Sequence, residues 1–153
     1  MAQWRYQQQY QEYIRQQQYR LQNQRYDDQY YYSSQNYRYS RSGRYYETNQ
    51  YGAEMLRQAI NYGYEQGFRA GQADREDRWN GGSYQDSYAY QDASYGYNGY
   101  YVDSEEYRYY FREGFRRGYE DGYYGRSQYG RYSNGTANIL STILQQILNL
   151  QLF

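Results

Sequence analysis

Gly63-Tyr64-Glu65-Gln66-Gly67-Phe68-Arg69-Ala70-Gly71 and, 51 residues later, Gly114-Phe115-Arg116-Arg117-Gly118-Tyr119-Glu120-Asp121-Gly122 are two versions of one phrase, GΦxxGΦxxG with Φ aromatic. Residues four apart share one face of a helix, so each copy predicts a bare stripe beside a bulky one. Upstream, Met55 and Ala59 extend the small row and Leu56 and Ile60 the large row. In the second copy Tyr110 stands ahead of the glycines, with Tyr107, Phe111 and Tyr123 in the large row. Helices are expected over about 52–78 and 104–125.

Glycine inside a helix costs about 1 kcal/mol relative to alanine, so the six of them carry roughly 6 kcal/mol of intrinsic penalty. Close approach of two helix backbones offsets such a cost. Rows of the i±4 kind interdigitate at about −50°, and small residues every fourth position allow the tightest form of that crossing. Gly63, Gly67, Gly71, Gly114, Gly118 and Gly122 are therefore the candidate helix-packing residues of a glycine zipper, flanked by Tyr64, Phe68, Phe115 and Tyr119. The copies can pair with each other or between chains, since a connector of about 25 residues permits both. Two blander readings stand beside this one: turns in a disordered Gly/Tyr stretch, and glycines exposing backbone to a phosphate or sugar. The second needs glycines in a strand-to-helix turn, which these are not.

On the N-terminal side, residues 1–50 are a Gln/Tyr/Arg-rich low-complexity segment. Its first 30 residues place Tyr6, Tyr10, Tyr13, Ile14 and Leu21 at helical spacing, a thin stripe interrupted by Gln17 and Gln18. A helix is expected there when it docks on something. Asp27 to Gln50, with Tyr30, Tyr31, Tyr32, Ser33 and Ser34, reads as linker. Residues 51–135 hold the duplicated region; Asn80, Gly81, Gly82 and Ser83 are read as ending its first helix, and Asn98-Gly99 as a tight hairpin turn. Residues 136–153 change character, with no charge, no Tyr and nine Leu, Ile and Phe residues. Ile139, Leu140, Ile143, Leu144, Ile147 and Leu148 make one broad apolar face, so a C-terminal amphipathic helix is expected, capped by Asn134 or Thr136, completing a core or joining subunits.

Composition narrows the chemistry. Of 153 residues 30 are Tyr and 15 Gly, while Pro, Cys and His are absent and all 17 cations are Arg. There is no disulfide framework, no thiol nucleophile, no imidazole base or ligand and no lysine for a Schiff base or phosphate loop. No Ser stands in a nucleophile elbow or SxxK frame, so no catalytic, cofactor-binding or metal-binding residue is assigned and the chain is read as non-enzymatic. The acidic groups Asp74, Glu76, Asp77 and Asp103, Glu105, Glu106 read as solvated, and Glu113 with Arg117 and Arg116 with Glu120 as exposed i,i+4 pairs. Leu, Ile, Val and Phe are scarce, which raises disorder. Against that, 17 anions cancel 17 cations, and each ring offers ~150–250 Å² to bury. Residues 1–50 sum to +3, 51–103 to −4 and 104–153 to +1, and near-zero net charge favours association. No stretch is long and apolar enough for a membrane span, and no export signal is read in the opening residues.

Two Arg/Tyr runs, Tyr37-Arg38-Tyr39-Ser40-Arg41-Ser42-Gly43-Arg44-Tyr45 and Tyr124-Gly125-Arg126-Ser127-Gln128-Tyr129-Gly130-Arg131-Tyr132, combine cations with stacking faces. They support an alternative reading as a binder of single-stranded nucleic acid or another polymer. Asn61 to Arg75, Ser87 to Ala93 and above all Tyr110 to Tyr124 resemble a group of uncharacterised Tyr/Gly-rich bacterial proteins, over about residues 51–153. That resemblance implies an extracytoplasmic setting and brings no activity or site residue. The expectation as a whole is a mainly α, self-associating structural protein: two glycine-zipper helices, a C-terminal apolar helix and Tyr-rich irregular segments, forming a homo-oligomer without cofactor.

Overall fold

Apolar stripes at a period near four run through three long segments, and all three are helices. The structure, a computed structural model, describes residues 1–23, 34–77 and 83–153. Among them the order is α1 (Ala2–Gln22), β1 (Tyr37–Arg41), β2 (Arg44–Thr48), α2 (Gln50–Glu76), α3 (Tyr88–Asp92), α4 (Ser104–Tyr124), β3 (Gly130–Ser133), β4 (Thr136–Ile139), α5 (Ser141–Ile147) and β5 (Gln151–Leu152). One 3-10 turn, Tyr84–Asp86, precedes α3. The fold is mainly α. Tyr30 to Ser33 and Asn80-Gly81-Gly82 lie outside the described residues.

The ends of α2 and α4 follow from local chemistry. Asn49 caps α2, its Oδ1 accepting the Gly52 N–H at 2.9 Å. Glu105 and Glu106 lie in the first turn of α4, where carboxylates suit the helix dipole. At its other end Gly125 takes φ +64, and its N–H returns to the Asp121 carbonyl. The two helices lie side by side and make the principal contact of the fold. They run parallel: Gly63, Gly67 and Gly71 meet Phe111, Phe115 and Tyr119 in ascending order. Parallel neighbours need a return path as long as the helix itself. The 3-10 turn, α3 and the bends up to Asp103 supply it.

Helix α1 docks through Ala2, Tyr6, Tyr10, Ile14 and Gln17. Gln17 is part of this face rather than an interruption of it: its Nε2 donates to the Ser94 carbonyl at 2.7 Å and its Oε1 accepts the Gly96 N–H at 2.7 Å. Tyr6 Oη donates to the Gln66 carbonyl at 3.0 Å and Gln3 Nε2 to the Ala70 carbonyl at 3.1 Å, tying α1 to α2.

Three further expectations are corrected. The stretch from Asp27 to Gln50, read as linker, contains an antiparallel hairpin, β1 with β2, turning at Ser42 (φ 54) and Gly43 (φ 80). The Asn-Gly pair that turns a hairpin is Asn134-Gly135, with φ 52 and 77, joining β3 to β4. Two successive positive φ values are what a two-residue turn needs. Around Asn98-Gly99 only Gly99 of the pair is positive, and no ladder flanks it.

The third correction concerns the tail. Residues 136–153 are a strand, a seven-residue helix and a two-residue strand rather than one amphipathic helix. Neither Asn134 nor Thr136 caps α5, which starts after Leu140 and ends where Leu148 turns extended (φ −122, ψ 99). The reason is competition for backbone partners: β3 offers an edge to β4, and β1 offers one to β5. Leu148 is buried, while Ile139, Leu144, Ile147 and Leu150 pack partly on the core. Leu140 and Ile143 are half-buried. No helix among the described residues is long and apolar enough to cross a membrane.

Candidate functional site

A side chain on any of the six glycines would have nowhere to go. An ideal Cβ on Gly63 would sit 2.0 Å from the Phe111 carbonyl oxygen, on Gly67 2.1 Å from that of Phe115, and on Gly71 2.2 Å from that of Tyr119. Reciprocally, a Cβ on Gly114 would sit 2.0 Å from the Ile60 oxygen, on Gly118 2.0 Å from that of Tyr64, and on Gly122 2.1 Å from that of Phe68. All these neighbours are main chain, which cannot swing aside. Each glycine meets the carbonyl of the large-row residue three positions earlier in the opposite copy. The contact is therefore two-fold symmetric about an axis along the helices.

The aromatic residues keep the same symmetry but have different covers. In α4, Tyr107, Phe111, Phe115, Tyr119 and Tyr123 stack along the helix at 6.0–6.5 Å between centroids. Tyr90 of α3 lies against Phe115 at 5.7 Å and Tyr84 against Tyr119 at 6.5 Å. In α2, Tyr64 and Phe68 lie under the β3–β4 hairpin: Tyr132 stacks on Phe68 at 5.2 Å, and Gly130 leaves no room for a Cβ beside the Tyr64 ring.

Two buried phenol–carboxylate pairs bridge the helices. Tyr64 Oη donates to Asp121 Oδ2 at 2.7 Å, and Tyr119 Oη donates to Asp74 Oδ2. In the frame of the repeat each phenol reaches the carboxylate six positions further along the opposite copy. Asp121 is fully buried and also accepts the Tyr129 N–H at 2.8 Å and the Gln128 N–H at 3.2 Å, so it shapes the loop into β3. Asp74 accepts Gln3 Nε2 at 2.5 Å. Two further pairs flank the seam: Tyr10 Oη to Asp92 at 2.9 Å and Tyr39 Oη to Glu106 at 3.1 Å. Burial first, then the facing carboxylate, holds all four phenols well above the usual tyrosine range. These groups are proton-holding donors, and their oxygens are already spent on one another.

Of the acidic groups read as solvated, Glu76, Asp103 and Glu105 are exposed, but Asp74, Asp77 and Glu106 have structural partners. Asp77 receives the first N–H groups of α1, Ala2 at 2.6 Å and Gln3 at 2.9 Å, together with the Met1 ammonium at 2.7 Å. The ammonium bond, then the Gln3 and Ala2 N–H groups, bring its carboxyl down to about 2. Glu106 pairs with Arg41 at 2.8 Å. Arg116 turns to Glu113 at 2.9 Å rather than to Glu120, which Arg126 meets instead; Arg117 lies 3.9 Å from the Glu113 carboxylate and donates to its carbonyl at 2.8 Å. Among the described residues no three Asp or Glu side chains gather as a metal-ligating group.

Sequence reading missed the cross-seam carboxylates. Their signal is an aspartate set among small and aromatic residues one position before Gly122, and another three positions after Gly71, where a solvated helix face would not place one. Comparison of the chain with protein-family models, with curated proteins and with solved structures gives no match.

Proposed function

We infer that the protein is a non-enzymatic structural protein: a glycine zipper closed within one chain gives it a stiff centre, and its tyrosine-bearing surface makes contacts with further copies. The reciprocal fit of Gly63, Gly67, Gly71, Gly114, Gly118 and Gly122 against main chain carries this reading. Both bare rows are spent inside the chain, so association falls to other surfaces. Tyr19, Tyr45 and Tyr124 are exposed, and among the described residues β2 leaves one sheet edge unpaired. The Arg/Tyr runs speak for this reading over nucleic-acid binding, because most of their guanidinium groups are engaged at home. Arg38 lies over Tyr45 and Phe153, Arg41 over Tyr46 and Tyr109, and Arg126 over Tyr124.

Sedimentation velocity over a wide concentration range tests it. Reversible growth in size is expected, weakened when Tyr19, Tyr45 and Tyr124 are changed together to Ser. A monomer at every concentration would remove the association half of the proposal, and salt-dependent retention of single-stranded RNA by that monomer would favour the polymer-binding alternative.

A further inference from the structure

The tyrosines are not evenly spread. Tyr10, Tyr13, Tyr62 and Tyr95 form one knot where α1 meets the segment after α3, and within it Tyr13 and Tyr95 stack with ring centroids 3.9 Å apart and planes at 22°. Tyr10 lies 5.7 Å from Tyr95 at 29°, and Tyr62 also 5.7 Å but edge-on at 74°. Other stacked tyrosine pairs among the described residues are wider, such as Tyr39 with Tyr46 and Tyr51 with Tyr101, both at 5.4 Å. Tyr13 and Tyr95 are each half-buried, open enough for an oxidant to take an electron and for water to take a proton, yet shielded on the faces turned to the core.

We propose that Tyr13 and Tyr95 are a modification site, joined by one-electron oxidation into an intramolecular dityrosine. Two equivalents of a one-electron oxidant, of the peroxidase–peroxide or photo-excited metal-complex class, each remove one electron from a phenol, and each phenol releases its proton to water. The two phenoxyl radicals share their unpaired electrons in a carbon–carbon bond between ring positions ortho to oxygen. The hydrogen displaced from each bonded carbon moves to that ring's oxygen and restores both aromatic rings. One bond forms, two hydrogens leave the protein and both oxidant equivalents are reduced. Stacked rings already in contact make the coupling a unimolecular event, faster than encounter between copies.

The consequence is mechanical. Tyr13 lies on α1, which is joined to α2 by a segment that includes the undescribed residues, and Tyr95 lies on the return path between α2 and α4. A covalent bond between them staples α1 onto the paired helices and shrinks the unfolded ensemble, as any long-loop cross-link does.

The test uses the full chain, illuminated with tris-bipyridyl ruthenium and persulfate at high dilution. The expected product runs as a monomer, emits blue dityrosine fluorescence, is lighter by two hydrogens and yields one dominant cross-linked peptide joining Tyr13 to Tyr95. Tyr13→Phe and Tyr95→Phe keep the stacked rings and should each abolish that peptide, with the helical circular dichroism of the parent retained. Tyr124→Phe, at an exposed site, should leave it at the parental yield, and denaturation in urea before illumination should erase the preference. Coupling spread over many tyrosines, coupling only between chains, or an undiminished yield in either Phe variant of the pair would overturn the assignment.

Discussion

The two copies of the repeat share one seam and differ in everything laid over it. On the seam, Gly67 and Gly118 lie so close to opposing carbonyls that a Cβ on either would fall 2.1 or 2.0 Å from the oxygen, and Tyr64 and Tyr119 each reach across to an aspartate. Away from it, Phe68 lies under a β-hairpin and its counterpart Tyr119 against Tyr84 of the 3-10 turn, although each keeps the same 7% of its surface in solvent. The comparison separates two kinds of specification. A main-chain contact tolerates one residue type, so both copies must carry it. An aromatic face accepts any apolar cover of suitable shape, so the covers are free to differ.

Breaking the seam is the severest test. Gly67→Leu and Gly118→Leu should each remove at least about 4 kcal/mol, enough to abolish a cooperative melt followed by circular dichroism, because the obstructing atoms are backbone. The two losses should be equal; a folded variant at either position would break the equivalence of the copies. Gly135→Ala is the control. Nothing lies within 4 Å of its Cβ, so only the positive φ of 77 is strained, at a cost of about 1–2 kcal/mol.

Alkaline pH probes both halves together. A phenol whose folded pKa exceeds its unfolded one contributes stability that is fully present below the unfolded value and lost as pH rises through the folded one. Burial, then neighbouring Tyr13 and Glu65, pushes Tyr95 up to about 12, and Tyr6, Tyr10, Tyr64, Tyr107 and Tyr119 are also raised. The fold should therefore be stable to about pH 10 and collapse steeply between there and about pH 12. Phenolate absorbance should rise together with the loss of helix. A gradual rise with helix retained would show that these rings are open to water.

The covers can be ranked by truncation. Phe115→Ala should cost about 4 kcal/mol and Phe68→Ala about 1 kcal/mol less, since the second leaves its space nearer to solvent. Denaturant midpoints decide between them, and the reverse order would mean that the hairpin closes over Phe68 more tightly than its exposure implies. The mildest change is Asp77→Asn, which weakens the anchoring of the α1 terminus. It should raise amide exchange in the first turns of α1 and leave α2 and α4 protected. Because Asp77 is held down to about 2, its contribution in the parent is present above pH ~4 and fades as pH falls through about 2.

Much of the helical layout was readable in the chain. Tyr6, Tyr10 and Ile14 recur at helical spacing and are the buried face of α1, and the two GΦxxGΦxxG runs lie on α2 and α4. Gln17 was misread because a glutamine's amide can be satisfied by Ser94 and Gly96, residues close only after folding. The tail was misread for a related reason. Ile139 to Leu148 has helical spacing, yet its ends joined strand edges that lie elsewhere in the chain.

By itself, then, the sequence determined which segments coil into long helices and which of their faces are bare, since both follow from contacts within a few residues. Tertiary structure alone decided that the bare faces meet each other in one chain, in parallel and in register, and that the aliphatic tail divides between helix and strand. Those outcomes depend on return paths, edges and carboxylate partners separated by dozens of residues, and no local spacing records them.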